Sequence, residues 1–117
     1  MPKVLLAEDD PTMVALLKTL LKMEKFDVVA ADIDADVPAL ALREKPDVLF
    51  MDVHLGPQSG LEIVATLRKN PELTNLRVVM TSGLNMEDEC LRNGANDFLL
   101  KPFMPDDLIS LLKGKAA

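Results

Sequence analysis

The sequence predicts an α/β domain, a doubly wound parallel sheet with helices on both faces. Three observations carry that expectation. Five short apolar runs recur along the chain, and each is followed by a stretch with apolar residues at helical spacing. Strand–helix alternation of this kind builds a parallel sheet through right-handed crossovers. The central run, Val48-Leu49-Phe50-Met51, is apolar at every position, as in a strand covered on both faces.

Val4 to Ala7 is the first run, and it ends in three acids, Glu8, Asp9 and Asp10. Asp10 before Pro11 reads as an N-cap with proline in the first helical position. Met13, Leu16, Leu17, Leu20 and Leu21 then mark the apolar stripe of the first helix. Val28 to Ala31 is the second strand. A helix from about Ala35 to Lys45 follows, with Pro38 tolerable only in its first turn, and Pro46 stops it. The central strand runs to Asp52. His54 to Gly60 is a loop rich in Gly and Pro. Ser59 and Glu62 have capping-box spacing and open a helix turning Leu61, Val64 and Leu67 inward, until Asn70-Pro71 ends it. Val78 to Thr81 is the fourth strand, broken by Ser82-Gly83. Asn85 is placed to cap a short helix reaching about Arg92, with Asn93-Gly94 as its stop. Phe98 to Leu100 is the fifth strand, and Lys101-Pro102-Phe103 a turn. Pro105 opens the last helix, with Asp106 and Asp107 favourable to its dipole and Leu108, Ile109, Leu111 and Leu112 on its buried side.

A chain of 117 residues fits one domain over 1–117, with a polar tail at 113–117 expected to fray. Apolar residues make up 49%, enough for one core, and with four Phe and neither Trp nor Tyr that core must be aliphatic. A net charge of −6 argues against nucleic-acid binding and against an anionic membrane surface. No apolar run spans a bilayer, the start lacks a signal-peptide pattern, and a lone cysteine cannot form an internal disulfide, so the cytoplasm is the expected location. Cys90 reads as a small packing residue on a helix.

Strands sharing one direction bring their carboxyl ends to one rim, where open α/β proteins place ligand sites. Leaving those ends are Glu8 and Asp9, Asp52, Thr81 and Lys101. Singly, each has a plain structural reading as a turn former, a strand residue or a solvated charge. Together their chemistry is complementary. Close like-charged pairs cost on the order of 4 kcal/mol at about 4 Å and an effective dielectric near 20, so three acids ask for a cation. Oxygen ligands suit Mg²⁺. Lys101 adds a positive point charge and Thr81 a hydroxyl. This set fits phosphoryl transfer to a carboxylate, with Asp52 as the attacking group.

The chain resembles bacterial two-component response-regulator receiver domains, the chemotaxis regulators among them, over essentially its whole length. The residues that carry the resemblance are Leu6-Ala7-Glu8-Asp9-Asp10-Pro11, Asp47-Val48-Leu49-Phe50-Met51-Asp52, Ser59-Gly60-Leu61-Glu62, Met80-Thr81-Ser82 and Gly94 through Phe103. It implies the flavodoxin-like (βα)5 fold with strand order 2-1-3-4-5. It makes Asp52 the phosphoacceptor and Asp9 a direct Mg²⁺ ligand. Glu8 acts through water, and the backbone carbonyl of His54 is the third protein ligand. Lys101 pairs with the phosphoryl group, and the Lys101–Pro102 bond is cis. The donor is a phosphohistidine on a sensor kinase or histidine phosphotransfer protein. Thr81 and Phe98 form the switch, reshaping the surface of the fourth helix, fifth strand and fifth helix for a partner, a fused output domain or a phosphorylation-dependent dimer. Such a domain is a signalling switch and not a turnover enzyme: it catalyses only its own phosphorylation and slow hydrolysis of the aspartyl phosphate.

The chain departs from this pattern in places. Gly56 stands where the family usually has proline, with Pro57 next; the fourth helix is about two residues short; and Gly83 replaces a longer side chain. The imidazole of His54, the only histidine, reads as solvent-facing, and His54 and Gly83 are placed to tune the approach of water to the phosphoryl group. Three other readings compete: a degenerate receiver that binds partners without phosphorylation, a flavin-binding relative, and an aspartyl-intermediate phosphatase. The retained site residues count against the first, the lack of Trp and Tyr against the second, and the absence of an Asp-x-Asp after the first strand against the third.

Overall fold

The computed structural model describes residues 2–114. In chain order its elements are β1 (Lys3–Ala7), α1 (Pro11–Met23), β2 (Asp27–Ala31), α2 (Val37–Glu44) and β3 (Val48–Asp52). A small hairpin of β4 (His54–Leu55) and β5 (Gln58–Ser59) follows. Then come α3 (Gly60–Lys69), β6 (Arg77–Ser82), α4 (Glu87–Arg92), β7 (Asp97–Leu100) and α5 (Pro105–Leu112). The five long strands form one parallel sheet in the order β2-β1-β3-β6-β7. With the hairpin strands set aside, this is the expected order 2-1-3-4-5.

Period-2 alternation sorts the strand residues into two apolar layers. Leu5, Ala7, Leu49, Met51, Val78 and Met80 pack with Val37 and Ala41 of α2, Val64 and Leu67 of α3 and Cys90 of α4. Val4, Leu6, Val48, Phe50 and Val79 pack with Leu17 and Leu21 of α1 and Leu108 and Leu112 of α5. Every residue of β3 is buried, as a strand with a layer on each face requires.

Asp10 caps α1, its carboxylate accepting from the Thr12 and Met13 amides, and Asp36 caps α2 from the Ala39 amide at 3.1 Å. Pro38 lies in the first turn of α2. The capping box expected at Ser59 does not form: the serine makes no side-chain cap bond. Instead Ser59 is held in the hairpin opposite His54, and the Gly60 amide donates to the Val53 carbonyl at 2.6 Å, fixing the entrance to α3. In α3, Ile63 is buried alongside Val64 and Leu67, while Leu61 is only half-buried. Asn85 stands one residue before the cap position of α4; its side chain accepts from the Glu87 amide at 3.3 Å, an Asx turn ahead of the helix. Leu16 is 51% exposed beside buried Leu17 because one helical step turns it about 100° out of the core. It borders an apolar groove with Leu20, Gly83 and Phe103. Of the tail, Lys113 caps α5 and its ammonium pairs with Glu24 at 2.9 Å, and the Gly114 amide donates to the Leu111 carbonyl. The remainder of the tail, 115–117, lies outside the described residues.

Candidate functional site

Parallel pairing puts the carboxyl ends of β1, β3, β6 and β7 on one rim, with Asp52 of β3 directly opposite Thr81 of β6. Glu8 leaves the end of β1 and is only 3% exposed; Asp52 ends β3 at 6%. Burying two carboxylates this deeply requires partners. Lys101, just past β7, supplies them: its ammonium donates to Glu8 Oε1 at 2.8 Å and to Asp52 Oδ2 at 2.6 Å. The Asp9 and Asp10 amides satisfy the second Glu8 oxygen at 2.9 and 3.2 Å. The His54 amide satisfies Asp52 Oδ1 at 2.8 Å. Exposed Asp9 takes a bond from the Gly56 amide to Oδ2 at 3.1 Å.

Electrostatics follow from this packing. Burial pushes the Glu8 carboxyl above its ordinary value, against hydrogen bonds from Lys101 and the Asp10 amide, and the charge of Asp52 adds to the push. For Lys101, burial works to lower the ammonium. Hydrogen bonds and charge from Asp52 and Glu8 outweigh it, and the net shift is upward. Lys101 is therefore a firm cation.

One oxygen each from Glu8, Asp9 and Asp52 lies within 4.8 Å of the others. Three acids against one lysine leave two negative charges without a partner, the charge of one divalent cation. An all-oxygen set with one exposed member leaves room for retained water, which is what Mg²⁺ requires. The donor set fits that ion.

The Thr81 side chain is fully buried, and its hydroxyl donates to the Leu99 carbonyl of β7 at 2.6 Å, away from Asp52. Phe98 lies opposite Met80 in the β6–β7 register, half-buried against the layer that holds α3 and α4. The His54 imidazole is exposed, and nothing lies within 4 Å of where a Gly83 side chain would begin. The Lys101–Pro102 bond is cis. Three contributors were not picked out by sequence reasoning: the amides of His54 and Gly56, and Gly60, whose Cβ would meet the Asp52 carbonyl at 2.6 Å. Gly56-Pro57 between paired residues was the available signal, since glycine favours the first position of a two-residue hairpin turn.

Residues 4–113 match the family described as "Response regulator receiver domain". The chain is 32% identical to the phosphate regulon transcriptional regulatory protein PhoB of Rhizobium meliloti, over 97% of this chain and 51% of that protein. It is 29% identical to protein PilH of Pseudomonas aeruginosa, over 100% of this chain and 99% of PilH. The chain thus spans about half the length of PhoB and nearly all of PilH. Among solved structures it is similar to the receiver domain of sensor histidine kinase PA1611 of Pseudomonas aeruginosa, described with a magnesium ion in its active-site cleft. There the TM-score is 0.84 and the identity 25%, with 97% and 95% of the two chains covered.

Proposed function

The chain belongs to the response-regulator receiver-domain family, and on that premise we propose that it is a phosphorylation-dependent switch of a two-component system, with Asp52 as phosphoacceptor. The observation that carries this reading is the ammonium of Lys101 bridging Glu8 and Asp52 at the point where Asp9 adds a third acid.

An Asp52 oxygen attacks the phosphorus of a phosphohistidine on a sensor kinase or histidine phosphotransfer protein. The P–N bond breaks, an acyl P–O bond forms, and the imidazole leaves with a proton. Asp9, Asp52 and the His54 carbonyl would hold Mg²⁺, with Glu8 acting through water. When bound, that ion neutralises charge on the transferring phosphoryl oxygens. Lys101 pairs with the same oxygens. The His54 amide, now on Asp52 Oδ1, keeps the carboxylate aimed. His54 and Gly83 set how freely water reaches the acyl phosphate, so the His54→Asn and Gly83→Glu proteins differ from wild type in phosphoryl lifetime.

The switch runs through Thr81. A phosphoryl group on Asp52 offers acceptors that compete with the Leu99 carbonyl for the Thr81 hydroxyl. Turning that hydroxyl toward Asp52 frees β7 at Leu99, beside Phe98, whose ring moves into the vacated space. The population shifts to a form with a different α4–β7–α5 surface. That surface addresses a partner protein, an output domain or a second copy, in the cytoplasm. Among the described residues no helix is long and apolar enough to cross a membrane.

The test is incubation with a small acyl phosphate and Mg²⁺, read by mass spectrometry. Wild type gains one phosphoryl mass and the Asp52→Asn protein none. Labelling that survives in Asp52→Asn moves the acceptor elsewhere. No labelling of wild type favours a degenerate receiver that binds without phosphorylation.

A further inference from the structure

We infer that Gln58 is a positioning residue for the cation site: its side-chain amide pins the β4–β5 hairpin to the connection between β2 and α2, and through the hairpin it holds Asp9 and Asp52 in place. The inference rests on the receiver reading above and adds to it a residue outside the acidic set.

Gln58 Nε2 donates to the Ile33 carbonyl at 2.8 Å and to the Ala35 carbonyl at 3.1 Å. Both partners are acceptors only, so the nitrogen must face them. Ile33 lies beside the acids, lining one cavity with Glu8, Asp9 and Asp32. The hairpin that Gln58 anchors has two paired positions, His54 with Ser59 and Leu55 with Gln58. A hairpin this short has no stability of its own, so its attachments decide where it sits. Its tip, Gly56 at φ +56, lies against the same connection: a Cβ there would stand 3.3 Å from Ile33 Cβ.

On its other side the hairpin faces the site. The Gly56 amide donates to Asp9 and the His54 amide to Asp52. Two of the three acids therefore take a main-chain donor from one small element, and Gln58 ties that element to the body of the protein. Removing an outer partner of metal ligands typically weakens metal binding about 10- to 100-fold.

The experiment is a calorimetric Mg²⁺ titration of wild type, Gln58→Met and Gln58→Lys, with hydrogen exchange at the Gly56 amide followed by NMR without Mg²⁺. Methionine keeps the length but has no N–H; lysine keeps a donor. The expected result is about tenfold weaker Mg²⁺ binding and faster Gly56 exchange in Gln58→Met at an unchanged melting temperature. Gln58→Lys should recover slow exchange. Mg²⁺ binding in Gln58→Met as tight as wild type overturns the inference, as does weaker binding with Gly56 exchange unaltered. Wild type that takes up neither Mg²⁺ nor a phosphoryl group overturns the receiver reading beneath it, a failure distinct from a wild type and a Gln58→Met protein that bind Mg²⁺ equally.

Discussion

The two ends of the sheet handle charge in opposite ways. At the amino end, Lys3 pairs with Glu44 at 3.1 Å and its amide bonds Asp47 at 2.7 Å. Arg77 pairs with Asp97 at 3.2 Å while also donating to the last carbonyls of α5. Arg68 spends its donors on the carbonyls of Gly94, Leu73 and Thr74 and on Asn96 Oδ1. At the carboxyl end three acids, Glu8, Asp9 and Asp52, stand against the one ammonium of Lys101, which reaches Glu8 and Asp52. Both ends satisfy their hydrogen bonds; what differs is burial, deep for Glu8 and Asp52 and only partial for the amino-end pairs, and the sum of charge. Where it sums near zero the network fastens loops to the sheet. Where it leaves two negative charges, the fold accepts a cost that a cation and a phosphoryl group can use. Charge imbalance held in a buried setting, rather than bonding, separates the acidic rim from the balanced one.

Breaking the balanced rim has the largest expected effect on stability. Arg68→Ala removes the donor to the Gly94 carbonyl and leaves the Leu73 carbonyl and Asn96 Oδ1 with one main-chain donor each, from Leu76 and Val78, and it should cost about 1–3 kcal/mol in urea unfolding. Arg68 lies directly over Gly94, whose φ is +115: its Cγ is 2.5 Å from where a Cβ would begin. Phosphoryl uptake by the folded fraction should stay at the wild-type level. A loss of uptake at unchanged stability would show that the two rims are not separable.

Filling the unbalanced rim comes next. Mg²⁺ at about ten times its Kd should raise the unfolding free energy by about 1.4 kcal/mol in wild type. It should do the same in a Lys3→Met protein, whose change lies at the far end of the sheet. Equal stabilisation of an Asp9→Asn protein would place the ion away from the acids.

Much of this contrast was legible in the sequence. The order of elements followed from apolar runs and their stops. The acids, Thr81 and Lys101 stood out because each directly follows or ends a strand, a position that parallel topology turns into a shared rim. The hairpin was not legible. Gly56-Pro57 marks only a turn; the hairpin's links to the acids are main-chain amides of His54 and Gly56, which carry no residue-type signal, and its anchor is the side chain of Gln58. Ser59 and Glu62 had the spacing of a capping box, and Ser59 does stand at the cap position of α3, yet its hydroxyl makes no cap bond. The stripe of α1 included Leu16 because a wide apolar face and a narrow one look alike until the packing layer is known. Lys101 could be placed at the rim but not aimed. Its bridge between Glu8 and Asp52 depends on side-chain directions that periodicity does not encode.

A smaller effect sharpens the comparison by its sign. Asp9→Asn keeps an acceptor for the Gly56 amide and removes one of the surplus charges. In the absence of Mg²⁺ it should stabilise the protein by about 0.5–1 kcal/mol, the scale of a partly screened repulsion at this separation. Mg²⁺ binding should weaken in the same protein. Asp97→Asn, at the balanced rim, should destabilise instead, because it leaves Arg77 without its acid. The same sign for both in thermal melts would remove the distinction.

The smallest effect is a pH slope, and the two rims should slope in opposite directions. Glu8 has a folded pKa raised above 4.5 by burial, so the folded state holds its proton longer than the unfolded chain does. Its contribution is fully present below pH 4.5 and is lost as pH rises through the folded value. Glu44 is lowered by hydrogen bonds from Lys3 and then Arg43. Its contribution is present above pH 4.5 and is lost as pH falls through the folded value. Glu8→Gln should therefore flatten the decline in stability on the alkaline side of 4.5, while Glu44→Gln should flatten the decline on the acid side, both measured by urea unfolding without Mg²⁺. Glu44 is the weaker of the two because its partners are solvent-screened. A Glu8→Gln protein that keeps the full alkaline-side decline would mean that Lys101 already neutralises the site, and that the excess negative charge at this rim is not felt by the fold.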